Sequence, residues 1–148
     1  MIAKVLFRLA LLLSPLDWKA VRGLALIANR KGRYEESIDL LQIAIASVPE
    51  NPYTRLNLAA NLIFKEGGKW TQESRIHAKV AIFHGGSSMK ERFRLLLSNT
   101  PAREELTKEF NDVLFEQVKQ EREAWQGRRR IILKPEKFGG VVHIEIRE

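Results

Sequence analysis

Apolar residues recur at three- and four-residue spacing through most of this chain, and short breaker segments cut that rhythm into separate helices. Val21, Leu24, Ala25, Ile27 and Ala28 form one stripe and predict a helix over residues 16–30. Lys31-Gly32 ends it, because glycine accepts the left-handed backbone that often closes a helix. Ile38, Leu40, Leu41, Ala44 and Ile45 make the next stripe, which starts near Arg33-Tyr34. Pro49 stops that helix, since its ring clashes with a continuing turn. A turn this short lays the two helices antiparallel. Neither buries its stripe alone, so a neighbouring unit must cover both.

A second unit begins at Pro52, a residue favoured at the first helical position because its missing N–H has no partner there. Leu56, Leu58, Ala59, Leu62 and Ile63 supply its apolar face. Gly67-Gly68-Lys69-Trp70 reads as the turn, and a helix over 70–84 follows with Ala78, Ala81 and Ile82 inward. Gly85-Gly86 breaks it. Ser87-Ser88 with Glu91 then reads as a capping box on a short helix that buries Phe93, Leu96 and Leu97. Thr100 as cap and Pro101 as first residue open the longest helix, 101–126, which Gly127 ends. Leu106, Phe110, Val113, Leu114, Val118 and Trp125 repeat along it at three, four and seven. It reaches roughly 39 Å at 1.5 Å per residue. Such a rod suits either a cap over the preceding pairs or self-association through 101–126.

The two ends change character. Residues 1–13 are apolar except for Lys4 and Arg8, four apart and so on one helical face. The stretch is too short to span a bilayer, which takes about 20 apolar residues. Three readings stay open: a helix packed on the first unit, an amphipathic helix on a membrane surface, or a contact with another protein. Lys4, Phe7, Arg8 and Leu12 are the docking residues in the latter two. At the other end, Arg130-Ile131-Ile132-Leu133 and the alternating run from Val141 to Ile146 flank a glycine-containing loop and predict a β-hairpin. A lone hairpin is marginal in water, so it caps the long helix or joins a partner's sheet.

The unit from Trp18 to Asn51 resembles the tetratricopeptide repeat. With Trp18 as its first position, Leu24, Gly32, Tyr34, Ala44 and Pro49 fall on the family's Leu, turn Gly, packing Tyr, contact Ala and terminal Pro. It departs at Val21, Ala25 and Ser37, where the family has Trp, Gly and Ala; all three remain small or apolar. Residues 52–86 match less well: Trp70 takes the aromatic role two residues late, and Gly85-Gly86 replaces the terminal Pro. No family motif marks the rest. The expected architecture is therefore mainly α, an α-solenoid of antiparallel helix pairs with a long C-terminal helix and a terminal β-hairpin. Its segments are 1–15, 16–98, 99–127 and 128–148.

Composition narrows the chemistry. The chain has 148 residues and no cysteine, which excludes a disulfide framework, a thiolate zinc site and a cysteine nucleophile. That fits a reducing cytosol, so the expected location is cytoplasmic, with peripheral attachment at the inner face of the membrane as the variant residues 1–13 allow. The net charge is +7. Part of the excess sits in the tail, where Arg128, Arg129 and Arg130 form the only basic run. These arginines read first as a solvated helix end; contact with nucleic acid, lipid or an acidic partner is the weaker alternative, and Phe138 alone offers stacking support. His77, His84 and Glu73 lack the close histidine pair of a helical metal site. Gly85-Gly86-Ser87-Ser88-Met89-Lys90 lacks the Gly-Lys-Ser/Thr ending of a phosphate loop, and no Gly-x-Ser-x-Gly elbow occurs. Neither a metal nor a cofactor is expected, nor is enzymatic activity.

The resemblance implies that first helices of successive units line a concave groove. The matching positions are Lys19, Arg22, Leu26, Asn29 and Arg30, followed by Tyr53, Asn57, Ala60 and Phe64. Some family members hold a peptide carboxylate with a cation on one first helix and Asn on the next; Arg22 and Asn57 match, while Leu26 replaces a further Asn. Physically, Lys19, Arg22 and Arg30 suit acidic groups, Asn57 and Asn61 offer amides to an extended backbone, and Tyr53 and Phe64 give stiff apolar area. The expectation is a non-catalytic adaptor subunit that binds a protein partner. Membrane attachment and nucleic-acid binding are the alternatives.

Overall fold

The computed structural model describes residues 18–132, with side chains as far as residue 127. It is helical throughout, with no strand among the described residues. Helix α1 is Trp18–Arg30, α2 Tyr34–Ser47, α3 Pro52–Lys65, α4 Gln72–Gly85 and α5 Ser88–Leu96. A single rod then runs through α6 (Arg103–Glu109), a π turn (Phe110–Leu114) and α7 (Phe115–Ile132). Helices α1 to α4 pack in chain order, and α5 and the rod close over α3 and α4.

Helix α3 is the keel. It buries residues on almost every side, with Leu58 and Leu62 in a core shared with Val21, Ala25, Leu41 and Ala44 of α1 and α2. Its other face, Leu56, Ala59, Ala60 and Ile63, joins Ala78, Ala81 and Ile82 of α4, Phe93 of α5 and the rod. The α1–α2 approach is close because the residues there are small. Ser37 is fully buried, and its hydroxyl donates to the Ala25 carbonyl at 2.7 Å.

Local chemistry repeats between units. At the end of α1, Gly32 sits at φ 74°, its N–H donates to the Asn29 carbonyl, and the Arg33 N–H donates to the Ala28 carbonyl. At the end of α3, Gly67 sits at φ 70° with the same pair of bonds, to Phe64 and, from Gly68, to Ile63. This is the doubly bonded glycine stop of a helix, and only glycine takes that backbone without strain. The aromatic after each turn reaches the first helix of the next unit. Tyr34 packs on Phe64 with centroids 5.5 Å apart, and Trp70 stacks on Phe93 at 5.4 Å.

Several expectations are corrected. Ile27 is 48% exposed, so the α1 stripe narrows to Val21, Ala25 and Ala28 with Leu24 half-buried. The Ser88–Glu91 capping box does not form: the Ser88 hydroxyl donates to the Gly85 carbonyl, and Glu91 pairs with Arg94. The capping box lies instead at Thr71 and Ser74. The rod starts at Arg103 rather than Pro101, without a side-chain cap, because Pro101 and Ala102 are spent in a turn. Gly127 does not end it. The helix continues to Ile132, so the segment expected to open a β-hairpin is helical as far as that residue. The rest of the expected hairpin lies outside the described residues.

The π turn explains one further departure. Leu106, Phe110, Leu114 and Val118 are all buried although they stand four apart. In a regular helix each four-residue step overshoots a full turn by roughly 40°, which would carry the stripe about 120° around the rod. A wider turn takes up part of that drift and holds the stripe in line. Val113, expected on the same face, is 44% exposed instead.

Candidate functional site

Helices α1 and α3 place their predicted groove residues side by side, and α5 supplies the opposite wall. Trp18 and Arg22 are one turn apart on α1, and the Arg22 guanidinium lies over two rings, 5.3 Å from the Trp18 centroid and 5.6 Å from that of Tyr53. Arg92 of α5 covers the same tyrosine at 4.7 Å. Lys19 extends the cluster, 5.8 Å from the Trp18 ring. None of Lys19, Arg22 and Arg92 meets a carboxylate among the described residues. Burial lowers the Arg22 pKa, and the charge of Arg92 lowers it further. Guanidinium remains charged at any physiological pH, so the cluster is a standing concentration of positive charge.

Asparagines form the middle of the site, and they divide the work differently than expected. Asn61 is 2% exposed and fully engaged: its Oδ1 accepts from Asn29 Nδ2 at 2.7 Å, and its Nδ2 donates to the Asn57 carbonyl at 2.9 Å. Asn61 is therefore a structural brace between α1 and α3, not an amide offered to a ligand. Asn57 is 7% exposed, and its backbone carbonyl accepts the Asn61 amide. It lies one turn after Tyr53, on the same stripe of α3 as Phe64. Ala60 is sealed in the core at 1% exposure, and Leu26 is half-buried.

At the C-terminal ends of α1 and α3 the groove opens into a cavity of about 480 Å³. Asn29 and Arg30 line one side, Tyr34 and Phe64 the back, and Leu96, Asn99 and Thr100 the other side. Its size and mixed lining suit one large side chain or a small ligand. Thus Lys19, Arg22, Asn29, Arg30, Tyr53, Asn57 and Phe64 are gathered along one groove. Trp18, Tyr34 and Leu96, expected only as packing positions, complete it together with Arg92 and Asn99, which nothing in their local sequence marks. Arg92 was obscure because the third unit carries no recognisable motif; its only signal is its place on a helix following two helix pairs.

The remaining expected sites are elsewhere. Lys4, Phe7, Arg8 and Leu12 lie outside the described residues. Arg128, Arg129 and Arg130 fall on the last turns of α7. No helix among the described residues is long and apolar enough to cross a membrane. The three residues weighed for a metal are engaged otherwise: His77 Nδ1 accepts from Arg55 at 3.0 Å, Glu73 stands 3.9 Å from His77 Nε2, and His84 meets Phe83 edge to face. Among the described residues no group of three His, Asp or Glu side chains is placed to hold a metal ion. No protein-family model, curated protein or solved structure gives a significant match to this chain.

Proposed function

We propose that this chain is a non-catalytic adaptor, a tetratricopeptide-like scaffold that holds an extended segment of a protein partner in the groove between α1, α3 and α5. The observation that carries this reading is the convergence of Arg22 and Arg92 on Tyr53, with Lys19 beside them and no carboxylate among the described residues to pair with them. The cavity at Phe64 lies farther along the same face of α3, with Asn57 between the two. The repeated glycine stops and the matching aromatic contacts of Tyr34 and Trp70 support the scaffold half of the reading.

The test is a double substitution, Arg22→Glu with Asn57→Ala, in the tagged full chain. Neither side chain donates to another residue of the core, so helicity by far-UV circular dichroism stays intact. Partners recovered from native cells should fall away in proportion to groove engagement. A pull-down titration with unchanged affinity for a stoichiometric partner would exclude the groove as the binding surface.

A further inference from the structure

The cluster at the open end of the groove has a geometry of its own. Two guanidiniums from different helices converge on one tyrosine ring, and a third cation stands beside them. The Arg22 guanidinium lies within cation–π range of both Trp18 and Tyr53, and its five N–H donors form a planar fork suited to an oxyanion. Like charges this close repel, and the described structure supplies no acid to balance them. A carboxylate has two oxygens in one plane and a single charge. It satisfies one fork well and leaves the second unmatched. A phosphate monoester has three terminal oxygens, arranged tetrahedrally, and carries about −1.5 to −2 at neutral pH. It can take both forks and answer more of the charge.

The rest of the groove says what carries the phosphate. Tyr53 and Phe64 are eleven residues apart on α3, roughly 16 Å along the axis. An extended chain covers that distance in about five residues. Asn57 stands between the two ends, and the cavity at Phe64 accepts a bulky side chain. A lipid headgroup or a free phosphate would use the cations and leave both other features idle. We infer that the groove recognises a phosphorylated peptide, with the phosphoryl group on Arg22 and Arg92 and a large apolar side chain about five residues away in the cavity. This rests on the groove being the partner-binding surface.

The experiment is fluorescence anisotropy of the full chain with labelled nonapeptides built on a Gly-Ser background. One carries phosphoserine and, five residues on, leucine; its companions carry serine or glutamate in place of phosphoserine, or place the leucine next to it. The phosphopeptide should bind about tenfold more tightly than its serine form and several-fold more tightly than its glutamate form. Moving the leucine should weaken it several-fold. Arg92 is exposed and free of internal bonds, so Arg92→Gln folds and should erase most of the phosphate preference. Equal binding of phosphoserine and serine peptides, or a preference untouched by Arg92→Gln, overturns the inference. So does stronger binding to phosphoinositide vesicles or to a short single-stranded oligonucleotide than to the phosphopeptide. If Arg22→Glu with Asn57→Ala releases the cellular partner while the peptide series is flat, the groove stands and the phosphate assignment falls. If the partner stays bound, both fall together.

Discussion

Phe93 is the residue on which the second half of the molecule turns. Its ring is fully buried and stacked on both sides, 5.4 Å from Trp70 and 4.3 Å from Phe110, so it joins the α3–α4 turn, α5 and the rod. Removing a buried phenylalanine ring to alanine costs about 3–5 kcal/mol. Two stacked partners, each contributing about 0.5–1.5 kcal/mol beyond burial, put Phe93→Ala at the upper end of that range. Against a typical domain stability of about 5–15 kcal/mol, that variant is close to unfolding. Phe93→Leu is the better instrument: it keeps most of the volume, loses both stacks, and should cost about 1–3 kcal/mol. The assay is urea denaturation followed by far-UV circular dichroism, paired with amide hydrogen exchange. In a stack where each unit meets only its neighbours, damage stays local. The core of Val21, Ala25, Leu41 and Ala44 excludes Phe93, so protection should fall in α5 and the rod and persist in α1 and α2. A loss below about 0.5 kcal/mol for Phe93→Leu, or equal loss of protection in all helices, would refute the reasoning.

Three further outcomes follow from single observations. Ser37→Ala should lower stability by about 1 kcal/mol through the lost bond to the Ala25 carbonyl, and Ser37→Leu by more, because α1 and α2 leave no room there; a leucine variant melting like the parent would contradict that packing. Asn61→Ala should cost about 2 kcal/mol in denaturant titration, since it breaks the bonds to Asn29 and to the Asn57 carbonyl; unchanged stability would remove the brace between α1 and α3. His77 should make the fold acid-sensitive. Its Nδ1 accepts from Arg55, whose Nε is tied to the Pro49 carbonyl at 2.8 Å, so the neutral ring links α4 to the turn before α3. Burial, then the Arg55 charge, lowers its pKa from the usual 6.5, while Glu73 opposes the shift. The unfolded chain therefore takes up the proton first as pH falls. Stability is full above about 6.5, declines as pH drops from there to the depressed folded value, and is level below it. His77→Gln should flatten that part of the pH–stability curve, and a curve unchanged by the substitution would assign the acid response to other groups.

Much of this arrangement is legible in the residues, and the exceptions share a cause. Apolar spacing placed α1 to α5 and their buried faces, because each of those helices is short and regular enough for a 3.6-residue period to hold. Gly32 and Pro52 marked boundaries through backbone geometry that no tertiary contact overrides. The rod escaped the same reading. Its π turn shifts the register midway, so Val113 and Leu114, both apolar and adjacent, exchange roles relative to a regular helix. Gly127 was read as a stop on intrinsic propensity, a difference of only about 1 kcal/mol that a long helix absorbs. In the groove, positions were visible but partnerships were not. Nothing in the sequence shows that Asn61 rather than Asn57 is the amide locked to Asn29. Arg92 joins the site only because α5 packs against α3 and brings its guanidinium over Tyr53.

Charge placement along the chain gives the groove its polarity. Acidic residues concentrate at the starts of α2 and α6, where Glu35, Glu36, Glu104 and Glu105 offset the positive ends of those helices. Helices α1 and α3 have no acidic residue in their first turns, and neither contains one at all. They run in the same direction, being separated by one antiparallel helix, so their uncompensated N-terminal ends lie at the same end of the groove. Lys19, Arg22 and Tyr53 stand at that end. Of the other cations on these helices, Arg55 bonds the Pro49 carbonyl and His77, Lys65 pairs with Glu35, and Arg30 lines the cavity at the far end. Lys19, Arg22 and Arg92 are thus gathered at one end, while the opposite end of the groove, at Phe64 and Leu96, holds Arg30 as its one charged side chain. An extended ligand in such a groove experiences a field along its length and not only across it, so one chain direction is favoured: negative end toward Tyr53, apolar end toward Phe64. A scaffold that only spaced its neighbours would need no such gradient, and mutual repulsion of Arg22 and Arg92 would count against it.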